Sequence, residues 1–373
     1  MKDKLPENLQ GLRSRLVSHY IDVVPYKAVD DPIKIAAKAN IDSGSIIKLD
    51  ANENPFGSTD AVTKLFAQAS NISIYPDAEQ TILREALSRY TKIDKNRIVA
   101  GAGSDELIDL VTRLFVAPGD SIMISSPTFG MYSFSASIAG GSVIDVPRNS
   151  DDFSLDVEGI LDLTEHAKLM FIASPNNPTG NKSDNADLRK ILDTGIPLVV
   201  DEAYIEFSEG DCSPLLDEYS NLMILRTFSK WAGLAGLRVG YGLFPEDIAS
   251  ILMRVKPPYS VSTLAQAAAT TALDNIEESD QQLSIIISER SKMLSSLTAM
   301  DKLKVYPSQG NFFLVEFGKG NAEQIKSKLL KRGISVRHFD DSVLKDYLRI
   351  SIGLPKDNIK LLKELETLMQ EVK

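Results

Sequence analysis

The stretch RTFSKWAGLAGLRVGY, residues 226–241, sets a lysine, Lys230, after the hydroxyls of Thr227 and Ser229 and ahead of several glycines and Arg238. Small hydroxyls, glycine amides and a guanidinium in a turn-rich segment suit a phosphate dianion. The lysine itself has two readings. It is a solvated surface residue, as most lysines are, or an amine placed to bond covalently to a carbonyl.

Four further clusters carry polar or reactive groups. GAGSDE (101–106) reads as a glycine turn whose amides, with Ser104 and Asp105, open a helix toward a phosphate, or as a plain turn with an N-cap. A dinucleotide fingerprint fails there, because Glu106 stands in the place of its third glycine. SPTFGMY (126–132) offers Phe129, either to stack on a flat ring or to fill the core. SPNNPTG (174–180) is a strongly turned, amide-rich loop in which an asparagine can donate to a phenolate-like oxygen. In DEAYIEF (201–207), Asp201 ends an apolar run. A buried carboxylate there calls for a cation such as a protonated ring nitrogen, unless it caps a helix.

These clusters fall at the ends of short apolar runs. RIVA (97–100), SIMIS (121–125), SVIDV (142–146), KLMFIA (168–173), IPLVV (196–200), LMILR (222–226) and RVGYGLF (238–244) predict strands covered on both faces. Crossover helices fit over 104–116, 128–139 and 184–194. Such alternation makes an α/β fold with a mainly parallel sheet flanked by helices, and ligands bind beyond the carboxyl ends of its strands. After Pro257 and Pro258 a long helical region, 263–300, is followed by LKVYP, NFFLVEF, a helix at 321–331, GISVR, YLRISIG and a last helix. That is a smaller α+β domain. The expected division is an N-terminal arm (1–48), a large domain (49–260), and a linking helix with the small domain (261–373).

Composition narrows the classes. Apolar residues at 43% and charged residues at 25% suit a soluble globular chain, and a net charge of −10 speaks against nucleic acid or an anionic membrane as partner. A single cysteine, Cys212, excludes an internal disulfide framework and fits a reducing compartment. With only His19, His166 and His338 beside it, no thiolate or multi-histidine metal site is expected. MKDKLPENLQGLRSRL has no apolar core of a secretory signal, and no apolar run nears the ~20 residues that cross a bilayer. The expected location is the cytoplasm.

An amine for an imine, a carboxylate for a pyridinium, an amide for a phenolate, an aromatic for stacking and a phosphate cradle form one set. Pyridoxal phosphate asks for each of them. The carbanion chemistry belongs to that cofactor, while the protein positions it and tunes its electronics.

From about Val24 to the last helix the chain resembles the fold-type I pyridoxal-phosphate aminotransferases, and within them the histidinol-phosphate aminotransferase branch. SPNNPTG and the lysine segment mark the superfamily; LDANENPFG (49–57) and DEAYIEF narrow it, and YP (75–76), QGNFFL (309–314) and YLRISIG (347–353) agree. The resemblance implies that Lys230 holds the cofactor as a Schiff base and then shuttles the proton between substrate and cofactor. It implies that Asp201 keeps the ring nitrogen protonated, that Asn177 and Tyr204 bond the phenolate oxygen, and that Phe129 stacks on the ring. Ser104, Asp105, Ser229 and Arg238 match the phosphate-binding positions. Tyr75 matches a tyrosine that reaches the partner's site in a homodimer. Around the substrate, Arg349 and Arg337 match anion-binding arginines, and Tyr26 and Asn52 match positions of the arm and of the motif packed over the site.

The implied reaction converts L-histidinol phosphate and 2-oxoglutarate to imidazole-acetol phosphate and L-glutamate. An aromatic amino-acid transaminase or a threonine-phosphate decarboxylase of the same branch is the alternative. A cofactor-binding regulator is disfavoured by the acidic charge and by the lack of a spare DNA-binding segment. Two departures stand out: the arm reads PYKAV where relatives have PY-x-PG, and Phe129 replaces a tyrosine. Trp231 has no assigned role beyond packing.

Overall fold

The computed structural model describes residues 10–68 and 72–371. Residues 1–9, within the arm and the stretch read as lacking a secretory signal, lie outside the described residues. In chain order the strands are β1 (Ile47–Leu49), β2 (Ile98–Gly101), β3 (Ser121–Ile124), β4 (Ser142–Asp145), β5 (Leu169–Ala173), β6 (Leu198–Asp201), β7 (Leu222–Thr227), β8 (Gly240–Leu243), β9 (Lys304–Val305), β10 (Phe312–Glu316), β11 (Ile334–His338) and β12 (Tyr347–Ser351). They form a seven-stranded sheet, ordered β2-β8-β7-β6-β5-β3-β4, and a five-stranded one, β1-β11-β12-β10-β9. In the larger sheet only β8 runs antiparallel to its neighbours, β2 and β7.

Side chains alternate along a strand, so a sheet covered on both faces needs apolar residues at successive positions. Along β6, Leu198 and Val200 enter one core cluster and Val199 the opposite one; along β7, Leu222 and Ile224 are divided from Met223 and Leu225 in the same way. The first polar residues arrive only at the carboxyl ends, Asp201 on β6 and Arg226 and Thr227 on β7. Polarity is thereby confined to one edge. The helix Ser104–Phe115 packs over β2 and β8 through Leu107, Ile108 and Val111, all fully buried. Truncating one such residue to alanine costs about 2–5 kcal/mol.

The larger sheet also changes direction. β4 lies on one side of β3 and β5 on the other, so the loops leaving β3 and β5 diverge and open a crevice. The smaller sheet is antiparallel except where β1 pairs parallel to β11. β1 thus stands in the small sheet although it precedes the large one, and residues 50–54 run from it toward the crevice. The helical region after Ser262 is not one element but two, Thr263–Asp274 and Ile276–Thr298. Asn275 separates them at φ −122, ψ 42, and its Nδ2 donates to the Thr271 carbonyl at 2.8 Å, a local bond that competes with helix continuation.

Candidate active site

A cavity of about 740 Å³ lies where the crevice meets the small sheet. Tyr26, Ser104, Asp105, Phe129, Asn177, Asp201, Tyr204, Ser229, Lys230, Arg238, Arg337 and Arg349 all line it. Among the residues expected at the site, two do not. Asn52 is buried just behind it, where its Nδ2 donates to the Tyr204 hydroxyl at 3.0 Å. Tyr75 stands apart on the surface, 78% exposed and stacked on Tyr259 at 4.6 Å between centroids.

Asp201 closes the fully buried strand β6. Its Oδ2 accepts from the Tyr132 hydroxyl at 2.7 Å and its Oδ1 from the Ala203 amide at 3.1 Å. Among the described residues it has no cationic partner, and burial pushes its carboxyl up to about 6. An acid kept this dry and unpaired is built to meet a cation that arrives with a ligand.

Lys230 donates from Nζ to the Ala51 carbonyl at 3.0 Å. Burial, assisted by the nearby Arg349 charge, pulls its amine down to about 8. A neutral amine is therefore accessible near neutral pH, as a nucleophile or a proton carrier requires. The Tyr204 ring lies 5.9 Å beneath the amine, and burial raises the pKa of its phenol, keeping it protonated.

The cradle between β2 and β7 has the shape of an anion site. Gly103 precedes the helix Ser104–Phe115 without any side-chain cap, so the first amides of that helix remain open. Gly103 has φ +79, and a Cβ there would stand 2.5 Å from Arg238 Nη2. Only glycine lets the guanidinium lie over the turn. Arg238, itself left-handed at φ 52, pairs with Asp105 at 2.9 Å and donates to Ser229 Oγ at 3.4 Å.

Two arginines face each other from the small sheet. Arg337 on β11 and Arg349 on β12 are register partners, and among the described residues neither pairs with a carboxylate. Arg337 Nη2 donates to the Lys27 carbonyl at 3.0 Å. Arg349 donates through Nη1 to Asn177 Oδ1 and through Nη2 to the Asp50 carbonyl, each at 2.6 Å, while its buried Nε has no partner. Like charges directly opposite on a sheet repel, so the pair is suited to a bound anion. With Asn177 Oδ1 taken, its Nδ2 is the end left to donate into the cavity. Tyr26 covers the mouth, edge-on to Phe129 at 6.2 Å.

Sequence reasoning missed Tyr132, whose hydroxyl holds Asp201. The signal was present: Tyr132 follows Phe129 by three residues in SPTFGMY, one helical step away. It also missed the Ala51 carbonyl and Ser351, whose Oγ donates to Asn52 Oδ1 at 2.8 Å.

The donor set fits pyridoxal phosphate: an amine for its aldehyde, a dry acid for its ring nitrogen, an amide and a phenol for its oxygen, and an uncapped helix start for its phosphate. Fold and site together define a pyridoxal-phosphate-dependent aminotransferase of fold type I. Comparison with known proteins agrees. The profile of the family "Aminotransferase class I and II" matches residues 44–364, and the chain belongs to that family and, within it, to the histidinol-phosphate aminotransferases. It is similar to the histidinol-phosphate aminotransferase of Dehalococcoides mccartyi, with 46% identity covering 87% of this chain and 90% of the relative. The enzyme of Roseiflexus castenholzii is 41% identical over 97% and 99%. The crystal structure of histidinol-phosphate aminotransferase from Sinorhizobium meliloti, in complex with pyridoxal 5'-phosphate, superposes with a TM-score of 0.86 at 26% identity, covering 96% of this chain and 99% of that one. Among the described residues no helix is long and apolar enough to cross a membrane.

Proposed function

We propose that the chain transfers the amino group of L-histidinol phosphate to 2-oxoglutarate, giving imidazole-acetol phosphate and L-glutamate, as a step of histidine biosynthesis. The observation that carries this reading is the Arg337–Arg349 pair, side by side at the cavity and, among the described residues, without a carboxylate partner. Such an enzyme must accept a phosphate in one half-reaction and a dicarboxylate in the other, and guanidinium forks fit both anions. The relatives named above carry the same activity in their names.

Pyridoxal phosphate, when bound, supplies an electron sink for the pair left on the substrate carbon when its proton departs. The remaining work falls to this chain's residues. Lys230 would hold the cofactor covalently through Nζ, and its free amine, lowered in basicity by burial, would carry the proton to and from the substrate carbon. Asp201, oriented by Tyr132, keeps a proton on the ring nitrogen. Asn177 and Tyr204 donate to the ring oxygen, and Phe129 covers the ring. The amides of Ser104 and Asp105, with Ser229 and Arg238, hold the phosphate. Tyr26 and Asn52 pack the substrate side, where Arg337 and Arg349 bind its anionic group.

Two copies of the chain are proposed to complete the site, Tyr75 reaching the partner's phosphate pocket. Its exposure beside the exposed Ile72 and Ile74 supports a covered surface there. Action in the cytoplasm fits a chain whose one cysteine, Cys212, is free and buried.

The test is the visible spectrum of the purified protein before and after L-histidinol phosphate alone. The yellow band of lysine-linked cofactor should convert to the near-ultraviolet band of its amino form, and 2-oxoglutarate should restore it. A band indifferent to histidinol phosphate leaves the cofactor reading intact and removes the substrate assignment. Release of carbon dioxide, or turnover of phenylalanine instead, would transfer the assignment to the alternatives.

A further inference from the structure

Behind the lysine segment lies a second buried polar group that the chemistry above does not use. Both carboxyl oxygens of Glu206, Nε1 of Trp231 and the hydroxyl of Tyr241 are shielded from solvent and have no hydrogen-bond partner of good geometry among the described residues, although the hydroxyl of Tyr241 lies close to Arg226. They share one neighbourhood. Tyr90 stacks on Trp231 at 6.0 Å, Phe228 touches both Trp231 and Tyr241 at 5.5 and 5.6 Å, and Glu206 is the charge that most perturbs Tyr90. Trp231 directly follows Lys230, and its carbonyl accepts from Asn54 Nδ2 at 2.7 Å.

The cation nearest to hand is committed elsewhere. Arg226 donates through Nε and Nη2 to Glu202 at 2.9 and 2.7 Å and pairs with Asp211 at 2.8 Å. Glu206 is thus a carboxyl group without an ion pair or a side-chain donor among the described residues, facing Tyr90, Tyr241, Arg226, Glu202 and Asp211 from the surrounding elements. A carboxylate cannot be kept dry in that state; a neutral acid can, provided its polar atoms find partners. Consistently, burial raises Glu206 to about 8, Arg226 opposing. The indole N–H can only donate, and a hydroxyl and a protonated acid can do both. Enclosed water can satisfy such a set, since it needs two to four polar partners.

We propose that Glu206 is a neutral positioning acid that, through enclosed water bridging to Trp231 Nε1 and the Tyr241 hydroxyl, fixes the segment carrying Lys230. The proposal rests on the reading of Lys230 as the cofactor lysine. It places a polar lock on the face of the segment opposite the reacting atoms, where packing by Tyr90 and Phe228 alone would leave the indole N–H unpaired.

Two readouts on the holoenzyme test it. Infrared difference spectra between the native protein and E206Q, at mildly acidic pH where an ordinary glutamate is ionised, should show a protonated-acid carbonyl stretch in the native protein only. A spectrum without that stretch means an ionised Glu206 and overturns the proposal. The second readout is the pH midpoint of the visible band of lysine-linked cofactor. E206L and W231F each remove one side of the bridge and should raise the midpoint, because a loosened segment readmits water to the lysine nitrogen. E206Q keeps a neutral hydrogen-bonding head and should hold the native midpoint. A native midpoint in both E206L and W231F overturns the positioning role. If the native protein forms no band at all, the reading of Lys230 itself fails, while the infrared result on Glu206 stands by itself.

Discussion

Arg349 Nη1 meets Asn177 Oδ1 at 2.6 Å, and the two residues belong to different sheets. Arg349 lies on β12 of the smaller sheet, and Asn177 lies in the loop that leaves β5 of the larger one. One guanidinium therefore orients the Asn177 amide with one nitrogen and stands beside its register partner Arg337 in the lining of the cavity. On the function proposed above, cofactor contact and substrate contact are joined in a single side chain.

Replacing Arg349 by alanine should strand Asn177 Oδ1 and the Asp50 carbonyl as well as remove an anion fork. The expected loss is about 2–3 kcal/mol, a rise in KM of roughly 30- to 160-fold for both substrates. Lysine should recover part of it, as a point charge without the fork. Steady-state kinetics with each substrate check this, and an unchanged KM for both removes Arg349 from anion binding.

Lys230→Ala should abolish the visible band's response to substrate and slow transamination by about 10²–10⁴-fold or more, the span assigned to a positioned acid–base group. The native fold should persist, since Nζ contributes one hydrogen bond, to the Ala51 carbonyl. Circular dichroism with single-turnover kinetics separates the two effects.

Asp201 makes stability depend on pH in the cofactor-free protein. Its carboxyl, ordinarily at 3.8, is raised to about 6 by burial. The folded state therefore holds a proton that the unfolded chain gives up earlier. The contribution of Asp201 is full below about 3.8 and is lost progressively as the pH rises to about 6. Asp201→Asn has no such proton to lose, so it should gain on the native cofactor-free protein across that window, by roughly 3 kcal/mol at most. With cofactor bound the carboxylate faces a ring cation, and the advantage should reverse. Melting temperatures of both proteins, with and without cofactor, decide it.

Gly103→Ala should weaken pyridoxal phosphate binding by about tenfold, the free-energy equivalent of 1.4 kcal/mol. The new methyl group would displace the Arg238 guanidinium, 2.5 Å from its position, and φ +79 adds backbone strain. Cofactor titration followed by fluorescence quenching measures the affinity.

If the site is shared between two copies, Tyr75→Ala and Lys230→Ala proteins should each be impaired alone and regain activity when refolded together. In the hybrid, one site takes its lysine from one subunit and its tyrosine from the other. Mixtures that stay as inactive as their parents would falsify the composite site.

Much of this architecture is legible in the sequence because buried parallel strands leave an unambiguous trace. LVVD and LMILRT are apolar until their last residues, so the polar ends announce both the strand direction and the site. What escapes is whatever depends on distant contact. Ser351 and Asn311 each hydrogen-bond Asn52 across most of the chain, and no local spacing encodes that. Tyr132 shares a heptapeptide with Phe129, yet which aromatic meets the acid is set by how its helix lies on the sheet. The break at Asn275 is hidden for a related reason: the residues on both sides have good helix propensity, and one asparagine is a weak stop signal.

The parallel pairing of β1 with β11 has a further consequence for how the protein is made. β1 is among the first strands to leave the ribosome, and the strand it adds to is among the last. Until Ile334–His338 has been synthesised, the segment bearing Ala51 and Asn52 has no sheet to be anchored to, however well the larger sheet has already condensed. A nascent chain can therefore enclose Lys230 and Asp201 long before the wall opposite them exists. Premature termination near the carboxyl end would yield a molecule with its reactive groups in place and its pocket open.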